Sequence, residues 1–588
     1  MFKSLLNALL LLALAASVNA AIYYNVKPGC KAKDKNTFSD ITAAKDAVGK
    51  QIGKGLKDDI VVFLHQGDYR LDKPLEFDHR DGGTAAYSIT YCPWPGDKVV
   101  LSGGCPVKEW TRVKDNLWTA KVPPAKGGKF KVRQLYCDDR RLPRGRFPNE
   151  GQMLKITALS DDYQSVTFDG DLPATSCPDA EIVVYQNWSV SRGILDKIGG
   201  ASVHSSTPLA WVGHSGCRTN VGMYAYIENA SEFVDTPGEW YFDCKTGQIL
   251  YNAREGENPN DHNFQIPVLD KLVKVVGTQQ NPVKNLHFVG LELAFGRWDF
   301  PQFGYRGIQA AHFGTVMDPN EPVYSMPCAI DFKYTQDCRM VDCRIAHIGS
   351  SAIGFGAGCR NNTIENCTIY DISGNGVVVG QRDWPLRGPN WLDADWADPK
   401  DIPAENKILD SHIYDCAVEF LSASAVYDAF TQKTLIARNE IHDLPYIGVS
   451  VGFQWNTKQN SHRNTRVEYN KIYDVLKKIA DGGCIYTLGC QPGTVIYGNL
   501  LFDSRRGPWT FGNAPNNGIF FDEGSCKMTL EDNIIFRCDG GPVRYNKSGP
   551  EMMTWKKNYI NVLPGQEEFP KDIARKAGWL KEYADEQP

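Results

Sequence analysis

Two short motifs near the end of the chain set carboxylates beside glycines. One reads Asp481-Gly-Gly-Cys-Ile-Tyr-Thr-Leu-Gly, the other Gly518-Ile-Phe-Phe-Asp522-Glu523-Gly. Two carboxylates held close together suit acid–base or nucleophilic chemistry, because their mutual repulsion keeps a proton on one beside the anion of the other. Asp522 and Glu523 are a poor pair, since neighbours on a strand face opposite ways. Asp481 and Asp522, from neighbouring strands, are the better one. Aligning Gly483 with Gly518 sets Thr487 over Asp522. The preceding Gly448-Val-Ser-Val-Gly turns Val449 and Val451 inward and Ser450 outward. On that phase Ile519 and Phe521 point in and Asp522 points out to solvent. Asp481 then precedes its strand while Asp522 ends its own, at about 3.3 Å per residue. Gly482-Gly483 must bend the chain for the two to converge.

The elements that hold these motifs announce themselves by repetition. Asn366-Cys-Thr-Ile-Tyr-Asp, Ser411-His-Ile-Tyr-Asp, Asn439-Glu-Ile-His-Asp, Asn470-Lys-Ile-Tyr-Asp, Asn499-Leu-Leu-Phe-Asp and Asn533-Ile-Ile-Phe-Arg are variants of one phrase. Asn439, Asn470 and Asn499 recur at intervals of 31 and 29 residues. A period of this size with β-branched and aromatic residues after a polar turn means stacked short strands sharing one core. The expected fold is all-β, a right-handed parallel β-helix with an inserted β-sandwich-like domain. The Asp that closes each phrase (Asp371, Asp415, Asp443, Asp474, Asp503) is expected to bond backbone at a turn. Asp481 and Asp522 break the repeat, which singles them out.

The expected organisation is a signal peptide over 1–20, an N-terminal cap and first rungs over 21–104, an inserted β domain over 105–267, the main β-helix over 268–565 and a helical cap over 566–588. Lys3, the apolar run Leu5 to Ala16 and Val18-Asn19-Ala20 fit a secretory signal cleaved after Ala20, hence a secreted or periplasmic protein with no membrane span after cleavage. Residues 38–50 read as an amphipathic helix capped by Ser39 or Asp40 that covers the open end of the solenoid. Glu239 to Tyr251 reads as a hairpin turning at Lys245-Thr-Gly247. Long interruptions at 297–327, 381–404 and 504–517 read as functional loops, and Asp572 to Tyr583 as a short helix packed on the last rung. The 588 residues are 42% hydrophobic and 11% aromatic, with 14 Trp and a net charge of −5. Mixed charge without a basic stripe excludes a nucleic-acid binder. Seventeen cysteines with no metal-type spacing suggest packing at rung positions with a few disulfides, and no metal or cofactor.

These motifs carry a family resemblance. Gly67-Asp-Tyr-Arg-Leu-Asp-Lys-Pro-Leu, Val100-Leu-Ser-Gly-Gly, Val132-Arg-Gln-Leu-Tyr and Arg144-Gly-Arg-Phe-Pro-Asn, with Asp481-Gly-Gly-x-Ile-Tyr and aromatic-Asp522-Glu523-Gly, resemble the β-helical proteins of glycoside hydrolase family 141. That family has Asp at the positions of Asp481 and Asp522 as its proposed catalytic acids. Members often read Asp-Asp-Gly where this chain reads Asp522-Glu523-Gly. The resemblance implies hydrolysis of plant or algal poly- or oligosaccharide, of α-L-fucosidase or xylanase type. Carboxyl groups about 5 Å apart would imply retention of configuration and about 6.5–9.5 Å inversion. On this reading Tyr486, Trp455, Trp384, Trp298, Arg382, Glu523 and His312 are candidates for substrate contact, with His347 a weaker one. The loop from Arg382-Asp383-Trp384 through Trp391 and Trp396 becomes a candidate groove wall. Two other functions fit the same fold. A polysaccharide lyase would need a basic residue and a Ca²⁺ site, for which Asp393, Asp395 and Asp398 are the candidates. A non-catalytic surface protein would need neither acid.

Overall fold

The computed structural model describes residues 21–30, 35–123, 131–175, 179–212, 214–314, 323–381 and 395–579. Its body is a right-handed parallel β-helix whose rungs each contribute a strand to three parallel sheets. One rung runs Arg339–Val341, Arg344–Ile348 and Ser351–Gly356. These strands belong to the first, second and third sheets respectively. The second sheet holds the repeated phrase and is eleven strands wide, from Gly67–Arg70 to Tyr559–Ile560.

Each letter of the phrase has a physical task. The opening residue builds a ladder at the corner between the first and second sheets. Asn439 Nδ2 donates to Asn470 Oδ1 at 2.9 Å, Asn470 to Asn499 at 3.0 Å, Asn499 to Asn533 and Asn533 to Asn558 at 2.9 Å. The same oxygens accept backbone N–H groups, such as that of Asn439 on Asn470 Oδ1 at 3.0 Å. A corner buried between rungs would otherwise orphan those donors. The Ile turns inward, and Ile369, Ile413, Ile441 and Ile472 are wholly buried. The aromatic turns outward and stacks. Tyr370, Tyr414, His442, Tyr473, Phe502 and Phe536 form one column with centroid steps of 5.2, 5.3, 4.9, 5.0 and 5.2 Å, close to the strand spacing of about 4.8 Å.

The closing Asp departs from expectation. Asp371, Asp415, Asp443, Asp474 and Asp503 all take positive φ, a conformation Asp tolerates at turns. Most of their carboxylates meet cations rather than backbone. Lys477 reaches Asp443 and Asp474, Arg537 reaches Asp503, and Arg141 of the insert reaches Asp371 at 2.6 Å. Solvent-facing columns of like charge need such counterions, which a turn-only reading overlooks.

The excursions share one corner. The insert leaves after Val99–Ser102 in the second sheet and returns to Val273–Val276 in the third. The 297–327 and 504–517 segments leave at the same corner. All three therefore fall across the outer face of the third sheet. The insert is antiparallel β, with two apolar clusters, one around Trp240, Tyr251 and Phe264, the other around Ile156, Ile182 and Ile227. Its hairpin Trp240–Asp243 to Gln248–Asn252 turns where expected, with Asp243 Oδ1 accepting from Lys245 N. The 297–327 excursion is more than a loop. It carries strands Tyr305–Gly307, His312–Gly314 and Val323–Ser325, which extend the insert's largest sheet through Arg192 and Tyr305.

Other expectations shift in detail. The capping helix spans Ile41–Ile52, and Asp40 is its N-cap, accepting from Ala43 N at 2.8 Å. The terminal helix is only Lys571–Ala574, and the tail doubles back: Trp579 donates to Asn366 at 3.0 Å and stacks on His412. The described cysteines form no disulfide. Most are buried inside rungs, where Cys338, Cys343 and Cys367 point their sulfurs at backbone carbonyls. No described helix is long and apolar enough to cross a membrane, and residues 1–20 lie outside the described residues. Replacing Asn470 with Ala should cost about 2–3 kcal/mol, because it removes an acceptor shared by Asn439 N and Nδ2 and a donor to Ile436 O. Chemical denaturation reads this, and an unchanged midpoint would deny the ladder its structural weight.

Candidate active site

Asp481 sits just before strand Gly482–Tyr497 with φ +67°. The two glycines after it are required by space. A Cβ on Gly482 would lie 2.5 Å from Leu476 Cδ2, and one on Gly483 2.6 Å from the carbonyl of Ile485. The two glycines pair Asn516 and Asn517 in an unbroken register, so the chain turns at Asp481 itself and not at the glycines. Tyr446 OH donates to the Asp481 carbonyl at 3.0 Å, and Arg544 Nη1 meets its carboxylate at 2.6 Å. Arg544 reaches there from the last complete rung, crossing the Phe520 ring at 4.1 Å.

Asp522 lies within strand Asn516–Glu531, opposite Leu488 rather than Thr487. The register is one residue from the glycine-matched alignment, since Gly483 pairs Asn517. Nor does Asp522 face solvent. It is 7% exposed, because the excursions cover this face, as they also cover Ser450, Tyr486 and Phe520. Its Oδ2 accepts from Tyr486 OH at 2.5 Å, and its Oδ1 from Asn546 Nδ2 at 2.6 Å and from Glu523 N at 2.9 Å. Burial pushes this carboxyl up to about 6 against the pull of the Tyr486 and Asn546 donors, and the nearby Asp481 and Glu523 charges push the same way as burial.

One side-chain amide joins the two halves. Gln309 Nε2 donates to Tyr446 OH at 3.2 Å and to Tyr486 OH at 2.9 Å. Each hydroxyl, having accepted there, donates onward, Tyr446 to the Asp481 carbonyl and Tyr486 to Asp522. Tyr486 OH also stands 3.3 Å from Gln309 Oε1, but the shorter contact to Asp522 takes its proton. Gln309 is held by a strained turn. Ala310 and Ala311 both adopt positive φ (56° and 58°), tied by Ala310 N to Ser422 O at 2.7 Å and by Asn375 Nδ2 to Ala310 O at 2.9 Å. Strain of this kind persists only where its surroundings enforce it.

The other sequence candidates divide. Tyr486 is 1% exposed, so it supports Asp522 from beneath and offers no ring face to a sugar. Glu523 is ion-paired with Lys547 at 2.8 Å. The adjoining Gly524 lies so near the backbone of Asn456 that a Cβ would stand 2.6 Å away. Trp455 packs against His214 and Trp188 of the insert at 5.3 and 5.8 Å, so this wall is shared between helix and insert. Trp298 is a core residue, edge-on to Phe420 at 5.0 Å. His312 stacks on Phe453 at 4.4 Å and bonds Gln309 O at 2.9 Å, and burial lowers it to about 4. His347 is locked between Asp139 and Asp371 at 2.6 Å each. Arg382, Trp384, Trp391 and Asp393 lie outside the described residues. Asp395 accepts from Ser461, Asp398 caps Lys400 N and takes Gln279 Nε2, and Trp396 donates to Phe430 O. Those two acids are thus engaged by protein donors. Sequence reasoning missed Gln309, Tyr446, Arg544 and Asn546. Extending the rung alignment once more, Phe520 over Arg544 and Phe521 over Tyr545, would have found Arg544 and set Asn546 beside Asp522.

Comparison with known proteins adds two kinds of likeness. Residues 115–254, within the insert, match the profile of the GH141 insertion domain. A solved structure described as "Glycoside hydrolase" superposes with a TM-score of 0.84 at 23% identity, covering 96% of this chain and all of the other. XylC in complex with xylose is more distant, with a TM-score of 0.47 at 16% identity over 92% of this chain and 70% of that one. A comparison with curated protein sequences finds no match. The chain thus resembles glycoside hydrolase family 141 in its insert and shares a glycoside hydrolase's fold over nearly its full length. Gln309→Leu should lower stability by about 1–3 kcal/mol, since it strands two buried hydroxyls. A denaturation midpoint equal to that of the unaltered protein would show that the amide holds nothing.

Proposed function

We propose that the chain is an exported glycoside hydrolase acting on plant or algal oligo- or polysaccharide, of α-L-fucosidase type, with Asp522 as general acid and Asp481 as nucleophile or base. The observation that carries this reading is the asymmetry of the two carboxyls. Asp522 is buried, hydrogen-bonded and pushed up to about 6, while Asp481 is ion-paired with Arg544 at 2.6 Å. Glycoside hydrolysis needs that division, with a proton held for the leaving oxygen and an anion for the anomeric carbon or for water. The insert's similarity to the GH141 insertion domain supports the same assignment.

The chemistry follows from the contacts. Tyr486 and Asn546 fix the Asp522 carboxyl through one oxygen each, so its orientation is defined before substrate arrives. Both donors favour the anion that remains once the proton has left, which lowers the barrier to transfer. Arg544 orients Asp481. Gln309 fixes the direction of both tyrosine hydroxyls, one on the Asp522 carboxyl and the other on the Asp481 backbone carbonyl.

Aryl α-L-fucosides, aryl β-xylosides and plant or algal polysaccharides form the test panel. Asp481→Asn should abolish hydrolysis of whichever substrate is cleaved, and Asp522→Asn that of the polysaccharides, whose leaving oxygen needs a proton, with the fold intact by circular dichroism. Full activity in either variant removes that residue from the mechanism. A product absorbing near ultraviolet wavelengths typical of unsaturated uronates would replace hydrolysis with elimination. The pH profile carries its own sign. Asp522 is active when protonated, so kcat/KM should fall as pH rises through about 6. Tyr486→Phe removes a donor to the anion, so the falling limb should move to higher pH, on the order of one unit. A limb that stays in place or moves down would separate Asp522 from the observed titration.

A further inference from the structure

A cavity lies in the seam between insert and β-helix, at the corner where the insert leaves. It has a volume of about 190 Å³. Six cations line it: Arg133, Arg141, Arg144, Arg146, Arg192 and Lys478. Four of the arginines are neutralised. Arg133 meets Glu181 at 2.6 Å, Arg141 meets Asp371 at 2.6 Å and Glu419 at 2.5 Å, and Arg144 and Arg192 each meet Glu228 at 2.8 Å. These four arginines and four carboxylates balance, which explains how so much charge is tolerated inside the seam.

The rim does not balance. Arg146 bonds only backbone carbonyls and a thioether, through Nε to Pro148 O at 2.9 Å and through Nη2 to Gln152 O at 3.1 Å and Met153 Sδ. Its guanidinium lies over the Tyr226 ring at 3.8 Å. Lys478 is exposed and has no carboxylate within ion-pair distance among the described residues. Against these two cations the rim offers Glu150 alone. The floor carries the hydroxyls of Tyr185 and Tyr226, and burial raises both, so they remain donors at neutral pH. Protonated hydroxyls and a spare guanidinium are groups that recognise a sugar ring bearing an anion.

The cavity adjoins the two acids. Tyr185 lines it, Asn187 O accepts from Ala480 N beside Asp481 at 3.3 Å, and Trp188 packs on Trp455 in the acid site's wall. Lys478 stands three residues before Asp481 on the same corner. One stretch of the insert, 185–188, therefore borders both places.

We infer that this seam cavity is a subsite for an anionic saccharide unit, a uronate or a sulfate ester, held by Arg146 and Lys478 over the Tyr226 side while a neighbouring unit lies at Asp481 and Asp522. This rests on the proposed glycosidase reading for its place in the reaction, but binding is separable from it. Isothermal titration of the full chain with D-glucuronate, with D-glucose 6-sulfate and with neutral D-glucose tests the site directly. Binding of either anionic sugar in preference to glucose supports it, and the arm that binds names the anion. The Lys478→Glu variant, exposed and thus harmless to folding, should weaken that binding roughly tenfold, and Arg146→Ala by at least as much. Equal binding of all three sugars, no binding of either anion, or unchanged affinity in both variants would overturn the subsite. Hydrolysis of a neutral substrate with no anion binding would overturn the subsite and leave the hydrolase standing. Anion binding without any hydrolysis would do the reverse.

Discussion

Covering the outer face of the third sheet is the constraint from which the rest follows. A parallel β-helix normally leaves that face to water, and its outward residues are then cheap to make polar. Here the insert and two shorter excursions leave at one corner and lie over it. Every polar group on the face must then find a protein partner or carry the cost of desolvation. The Gln309 amide, the two tyrosine hydroxyls, Asn546 and Arg544 form the network that meets this demand. The same burial raises the pKa of Asp522.

Burial thus supplies both the acid and its precision. In water a carboxyl with an ordinary pKa would be a poor proton donor at neutral pH. Inside this network it holds its proton to higher pH and is itself held in one orientation. The rungs add the other requirement. Strands about 4.8 Å apart bring residues from consecutive turns of the solenoid side by side, and the left-handed backbone of Asp481 turns the chain just before its strand begins. The insert contributes the wall and, at the seam, the charged cavity. Fold and chemistry therefore meet at the corner where the excursions depart.

The repetitive part of this architecture was legible in the sequence, because the ladder, the inward Ile and the outward aromatic recur at each rung. The break in repetition also pointed to Asp481 and Asp522. What stayed hidden was whatever depends on distant segments meeting. Gln309 lies in an excursion with no period, and nothing local marks it as the partner of Tyr446 and Tyr486. The register error at Asp522 has a similar source: matching Gly483 to Gly518 assumed that glycines stack, whereas Gly483 pairs Asn517. Trp298 and His312 looked like surface groups in a loop. They are buried because that loop forms strands on the insert's sheet. The repeated Asp residues looked self-contained, yet Asp371 is an anchor for Arg141 of the insert.

The role of Asp522 is the centre of this account, and leaving-group dependence tests it most directly. Cleavage of glycosides of one sugar would be measured for the unaltered protein and for Asp522→Asn, with leaving groups running from dinitrophenol to a simple alcohol. A dinitrophenolate departs without a proton, whereas an alkoxide does not. If Asp522 donates the proton, the variant retains cleavage of the dinitrophenyl glycoside and loses that of the alkyl glycoside. Equal loss across the series, or no loss at all, would contradict it.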